Sequence, residues 1–197
     1  MKWKKLVIFS CILLSGTLFL LGALQQEQQM LADKLIRLHV VAHSDGKEDQ
    51  AVKLQVRDAV LAVTEPLSSQ EEFASALPEI QKAAEDCLEA LGSSHPVKVT
   101  LGKERFPTRY YDTFALPAGV YPSLRVTIGD GAGKNWWCVA FPSICFRATA
   151  EELEQAAMTA GFTSEEVKLI TEDSDEYVLK FKVLELLGEL KSRIFNT

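Results

Sequence analysis

Leu35-Ile36-Arg37-Leu38-His39-Val40-Val41-Ala42-His43, followed at once by Ser44-Asp45-Gly46, decides how the chain folds. Side chains along a strand alternate between its two faces. Ile36, Leu38, Val40 and Ala42 therefore fall on one side and Arg37, His39 and His43 on the other, the pattern of a half-buried strand. Ser44-Asp45-Gly46 breaks the strand. Asp45 with Glu48 three positions on has the spacing of a capping box, which satisfies the free backbone donors of a helix start. The helix it opens carries an apolar stripe of Val52, Val56, Ala59, Val60 and Val63 and stops at Pro66.

Downstream, Ser68 or Ser69 with Glu71 or Glu72 opens a second helical stretch, whose Phe73, Leu77, Ile80, Ala84, Cys87, Leu88 and Leu91 recur at helical spacing. Pro78 inside that stretch removes a backbone donor and should kink or split it, and Gly92 is a natural stop. Three alternating sets follow: Val97, Val99 and Leu101; Leu124, Val126 and Ile128; and Trp137, Val139 and Phe141. Gly129-Asp130-Gly131-Ala132-Gly133 reads as a hairpin loop between the last two, and Phe106 to Pro122 as an irregular stretch. Thr149 with Glu152 caps a short helix that Gly161 ends, Thr163 to Glu176 is acidic, and Leu179, Val183, Leu186, Leu187, Leu190 and Ile194 mark a C-terminal helix. The order predicts an α+β fold, a small antiparallel sheet with packed helices.

Upstream, Lys2, Lys4 and Lys5 precede Leu6 to Leu24, which holds no charged residue. Nineteen helical residues span about 28 Å, close to the roughly 30 Å hydrocarbon core of a bilayer. The fold is therefore expected to be preceded by an N-terminal transmembrane or signal helix, with the basic end inside and the remainder outside the cytoplasm. The expected organisation is a signal peptide or anchor at 1–24, a Gln-rich stalk at 25–34, an α+β domain at 35–146, and an acidic segment with a final helix at 147–197. Beyond the apolar run 18 basic residues face 27 acidic ones, a net of about −9. Phosphate binding needs clustered Lys and Arg, so nucleic acid is excluded as a partner.

Candidate chemistry is sparse. His39, His43, Asp45 and Asp49 lie close together, but no zinc-protease spacing is present, Asp45 has a capping role and Asp49 suits a helix first turn. Gly129, Gly131 and Gly133 form G-x-G-x-G with a strand after it, which offers no helix N-terminus to a phosphate. No metal or cofactor is expected. Cys138 and Cys145, with Pro142 between them to turn the chain, are candidate disulfide partners. Cys87 lies in a helix stripe and reads as a small buried residue. No catalytic residue set emerges, and the enzymatic alternative is a hydrolase using His39 with a carboxylate such as Asp45. The unusual feature is the density of Arg109, Tyr110, Tyr111, Tyr121, Arg125, Trp136 and Trp137, residue types enriched at interface hot spots. They are the candidate partner-binding residues. Adjacent strand residues point oppositely, so Trp136 and Trp137 cannot share a face.

Leu38-His39-Val40-Val41-Ala42-His43-Ser44-Asp45 with Asp49-Gln50, Lys53 and Val56-Arg57-Asp58 resembles the first signature of the stage II sporulation protein R family. Phe106-Pro107-Thr108-Arg109-Tyr110-Tyr111 and Leu116-Pro117-Ala118-Gly119-Val120-Tyr121 resemble the second. Leu124-Arg125-Val126-Thr127-Ile128-Gly129 through Asn135-Trp136-Trp137-Cys138-Val139 and Phe141-Pro142 to Cys145 resemble the third. His43 stands where the signature carries Asn. The resemblance implies a signal and not a catalyst. It implies a protein exported from the forespore into the space between the two sporulation membranes. There it would activate a membrane-embedded aspartic protease of the mother cell, which processes the sigma-E precursor.

Overall fold

Apolar residues on every second position of four strands, and on one stripe of each helix, can be buried together only if helices cover the sheet. The computed structural model, which describes residues 2–111, 113–145 and 149–171, has that arrangement. Helix α1 (Lys2–Asp33) leads into β1 (Ile36–Val41), then α2 (Lys47–Thr64), α3 (Gln70–Ser75) and α4 (Leu77–Ala90). Strands β2 (Val97–Phe106), β3 (Arg109–Tyr110), β4 (Ala115–Leu116), β5 (Gly119–Ile128) and β6 (Asn135–Phe141) follow, and then α5 (Ala150–Thr159) and α6 (Ser164–Thr171). The C-terminal helix expected over Leu179–Ile194 lies outside the described residues.

The sheet is mixed. Its order is β2-β5-β1-β6, with β1 parallel to β5 and antiparallel to β6, while β3 and β4 form a separate two-stranded ribbon. This corrects two expectations. The sheet is not purely antiparallel, and residues 129–133 do not close a hairpin, because β1 lies between β5 and β6. The glycine run instead passes over the end of β1: Ala132 N–H donates to His43 O and Gly133 N–H to Ala42 O. A Cβ on Gly133 would sit 2.2 Å from the Ser44 carbonyl oxygen, so only glycine permits this crossing. β2 and β5 pair over ten positions, from Val97↔Ile128 to Phe106↔Gly119. Pro122 is tolerated because β1 pairing begins only at Ser123, leaving its missing donor without a strand to serve.

All six residues of β1 are buried, so its expected polar face is not solvated. One face carries Ile36, Leu38, Val40, Val99, Leu124 and Val126 against Val56, Val60, Phe73, Ile80 and Leu88 of the helices. The other carries a second core of Leu31, Ala32, Leu35, Phe106, Leu116, Tyr121, Val139, Leu153, Phe162 and Val167. Helix α5, expected in the segment after the domain, and α6, which lies in the stretch read from sequence only as acidic, thus contribute to a core. So does the end of α1, where a stalk was expected: Gln28 Nε2 donates to Ala118 O at 2.6 Å and Gln29 Nε2 to Val120 O at 3.2 Å. Earlier in α1, Leu6, Val7, Ile8, Phe9, Ile12, Leu13, Leu14 and Phe19 are all exposed. Among the described residues no helix is long and apolar enough to cross a membrane; several side chains between positions 18 and 27 are not described.

Local signals explain the helix ends. The 70–90 stretch splits at Ala76, with Pro78 in the first turn of α4 where its absent N–H costs nothing. Ser69 caps α3 by accepting from the Glu72 N–H, and Thr149 and Glu152 form a reciprocal capping box on α5. At Gly92 the Ser93 N–H reaches Leu88 O and the Gly92 N–H reaches Glu89 O, the double bond of a Schellman stop. The Asp45 cap does not form. Gly46 is the N-cap of α2, and Asp45 Oδ1 accepts from the Lys134 N–H at 2.8 Å, tying the β1–α2 turn to the glycine run.

Candidate partner-binding site

The strand alternation that sends Ile36, Leu38 and Val40 to the helices sends Arg37 and His39 to the opposite face. There the register brings polar side chains of four strands side by side: His39 faces Arg125 on β5 and Trp137 on β6. Glu104 of β2 is the hub. Its Oε1 meets His39 Nδ1 at 3.0 Å and accepts from Arg125 Nη1 at 2.7 Å, while its Oε2 accepts from Ser123 Oγ at 2.9 Å. The other His39 nitrogen, Nε2, lies 2.7 Å from Asn135 Oδ1. Burial by itself would raise the Glu104 pKa. The hydrogen bonds from His39 and Ser123, with the charges of His39 and Arg125, outweigh burial and hold the carboxyl below its usual range. Trp137 stacks on the His39 ring, centroids 3.9 Å apart, and Phe106 meets Trp137 edge-on at 4.9 Å.

Beside this network Arg37 is fully buried in an aromatic cage. Its guanidinium carbon lies 4.4 Å from the Phe106 ring centre and 5.0 Å from that of Tyr121, and its Nη2 donates to Tyr111 Oη at 2.9 Å. Burial lowers its pKa, against the opposing influence of Tyr111 and Tyr121, and raises those of both tyrosines. Tyr111 stacks on Phe114, ring centroids 4.4 Å apart, across the β3–β4 ribbon. Arg37 thereby ties that ribbon to the sheet. The ribbon in turn presents Tyr110, 67% exposed, to solvent. Arg109 lies over the Trp137 ring at 5.2 Å.

The seven residues singled out from sequence do not form one patch. Tyr121 belongs to the core, 1% exposed, with its hydroxyl donating to Pro117 O at 2.7 Å. Trp136 points to the helix side, where the Arg57 guanidinium lies 4.3 Å from its ring. Trp137 points the other way, with Arg109, Tyr111 and the half-exposed Arg125 on its side of the sheet. Tyr110 is the most exposed of the seven. Cys138 and Cys145 are joined in a disulfide, Cα atoms 5.2 Å apart, and Cys87 is a free thiol packed at the edge of the helix-side core.

The hydrolase alternative required His39, Arg37 and a carboxylate in an open concavity. Their geometry is different. Arg37 is 0% and His39 4% exposed, both ring nitrogens of His39 are engaged, and Asp45 is directed to the Lys134 backbone. Two described surface grooves are lined by neither residue: one lies along Glu85, Glu89 and His95, the other between Pro66, Pro142 and Gln155. Glu104, Ser123 and Asn135 were missed from sequence. Counting strand parity from Phe106 back to Glu104 was the available signal, but it does not say which strand lies beside β1.

These elements are those over which the chain matches known proteins. The family described as stage II sporulation protein R matches residues 32–151, from the last turn of α1 to the start of α5. Stage II sporulation protein R of Bacillus subtilis (strain 168) is 38% identical over 153 residues, covering 71% of this chain and 68% of that protein. No solved structure matches the chain. A match across the entire mixed sheet, the helices α2 to α4 on one of its faces and the Arg37–His39–Glu104 network on the other means that the chain belongs to the stage II sporulation protein R family.

Proposed function

We propose that this sporulation protein acts outside the cytoplasm as a ligand, binding a membrane-embedded aspartic protease of the mother cell and shifting it toward the state that processes the sigma-E precursor. The observation that carries the ligand reading is the closure of the His39 site. The histidine that an enzyme would need is sealed between Trp137, Glu104 and Asn135, and functions as a structural tie. The basic start and apolar run of α1 support delivery across or onto a membrane. A ligand shifts a two-state partner only by binding one state more tightly. The binding energy is assigned to the side of the sheet carrying Tyr110, Arg109, Trp137 and Arg125. Tyr110 stands out on a ribbon that Arg37 and Tyr111 hold in place, so little ordering is left to be done on binding.

The test is co-expression of the full chain with the membrane protease and its substrate in a non-sporulating host, with substrate processing read on gels. Processing that depends on the chain is expected, and so is its reduction by Arg109→Ala or Tyr110→Ala in chains that remain folded. Processing independent of the chain, or a purified chain that turns over substrate alone, refutes the proposal.

A further inference from the structure

Away from that face, at the opposite end of β1, the fold gathers two of the chain's three histidines with a carboxylate. We propose that His43, Asp49 and His95 form a binding site for a divalent cation of the zinc class. The three ligand atoms lie within 4.8 Å of one another. Each comes from a different segment: His43 from the end of β1, Asp49 from the first turn of α2, and His95 from the connection between α4 and β2. Two imidazoles and a carboxylate are the donor set that zinc accepts, with a fourth position left for water or another ligand.

The three ligand atoms are near one another, and rotation of a side chain brings them to a bound arrangement. Ligands at about 2.0–2.2 Å from a tetrahedral ion lie roughly 3.4 Å from each other. His95 Nε2 is 3.7 Å from Asp49 Oδ1, too far for a hydrogen bond and near a ligand–ligand edge. The His43 and His95 rings are stacked with centroids 3.8 Å apart and planes 21° apart, so one ring must turn before both in-plane lone pairs meet one ion. Closing the triangle needs a shift of up to about 1.4 Å and the turn of one ring. His95 can supply it: its side chain is 34% exposed and it sits on a loop.

An outer contact orients Asp49, as metal sites require. Ser44 Oγ donates to Asp49 Oδ2, leaving Oδ1 directed at His95. The Asp130 N–H donates to His43 Nδ1 at 3.1 Å, so the proton of the neutral ring is on Nε2. Ligation through Nε2 puts that proton on Nδ1, where it faces the Asp130 N–H, so the 129–130 turn must move and the Asp130 carboxylate, now 3.9 Å away and 84% exposed, must become the acceptor of the Nδ1–H. The glycine run holds His43 in place, since a Cβ on Gly129 would fall 2.3 Å from His43 Nδ1. A cation here would fasten the α4–β2 connection to the β1–α2 turn.

The test uses the full chain in detergent micelles, titrated with zinc chloride against a chromogenic chelator, with thermal unfolding recorded with and without zinc. One equivalent per chain is expected, with a rise of several degrees in the unfolding midpoint. His95→Ala and Asp49→Asn should each weaken binding at least tenfold and abolish the thermal rise, with zinc-free circular dichroism unchanged. Should His95→Ala fail to fold, Asp49→Asn alone decides. Absence of saturable binding at micromolar zinc overturns the proposal. So does binding that survives both substitutions, because Cys11, Cys87 or scattered carboxylates would then hold the ion.

Discussion

Glu104→Ala tests whether the His39 face is a structural tie. The substitution leaves His39 Nδ1 without its partner in a site where the ring is almost wholly buried. An unsatisfied buried polar group costs about 1–3 kcal/mol. The buried Ser123 hydroxyl loses its acceptor, worth about 0.5–1.5 kcal/mol. The Arg125 pair adds little, about 0–1 kcal/mol, because that side chain is 44% exposed. Glu104 itself is 23% exposed, so water can enter where it stood and recover part of the loss. The net expectation is about 2–3 kcal/mol. With a urea slope near 2 kcal/mol/M, the unfolding midpoint should fall by roughly 1 M. Tryptophan fluorescence of the full chain is the readout, since Trp136 and Trp137 report from both faces of the sheet. A cost below about 0.5 kcal/mol would refute the reasoning. So would strict additivity of Glu104→Ala with Ser123→Ala, because residues in one network must couple.

Three further outcomes follow from particular contacts. Because the Glu104 carboxyl is held below its ordinary range, its contribution is present above the unfolded value near pH ~4.3 and disappears as pH falls through the folded value. The stability gap between wild type and Glu104→Gln should therefore shrink from pH 5 to about pH 3 by denaturant titration, and a widening gap would reverse the assigned sign. Gly133→Ala drives a methyl onto the Ser44 backbone and should lower the thermal midpoint by about 4–8 °C, whereas Gly102→Ala, with open space at its Cβ, should change it little. Tyr121→Phe removes the hydrogen bond to Pro117 and should cost about 1 kcal/mol in unfolding assays while substrate processing stays at the wild-type level. A processing defect in folded Tyr121→Phe would return that side chain to the contact surface.

The strand over Ile36–Val41, the break at Ser44–Gly46, the Pro78 split, the Gly92 stop and the Thr149 cap were legible because each is set by a few adjacent residues. What sequence could not supply was neighbourhood. Parity puts Arg37 and His39 opposite Leu38, but the face they reach is solvated only if nothing covers it. Here α5, α6 and the end of α1 do, so a pattern of half-burial belongs to a strand buried on both sides. Likewise the Gly129–Gly133 run has hairpin composition, yet Gly129 and Gly133 are required by close approach to His43 and Ser44. Strand order β2-β5-β1-β6 carries information that no local window holds.

The same limit governs the functional residues. Tyr, Trp and Arg mark a binding surface only when they are outside, and their chemistry is equally suited to a core. Tyr121 fills the space beneath Phe106 and Arg37, and Trp136 covers Arg57. What distinguishes Tyr110 is not its type but its place, on a two-residue strand that among the described residues pairs with Ala115 and Leu116. Arg37 connects the two kinds of residue. Its burial is costly, since a guanidinium loses hydration there. What it gains is a hydrogen bond to Tyr111 and three aromatic faces, and these fix the ribbon relative to the sheet. A buried arginine that orients an exposed tyrosine is unneeded for a stable core alone, where a leucine would suffice. It is intelligible under the proposed function, in which the output is the position of a surface.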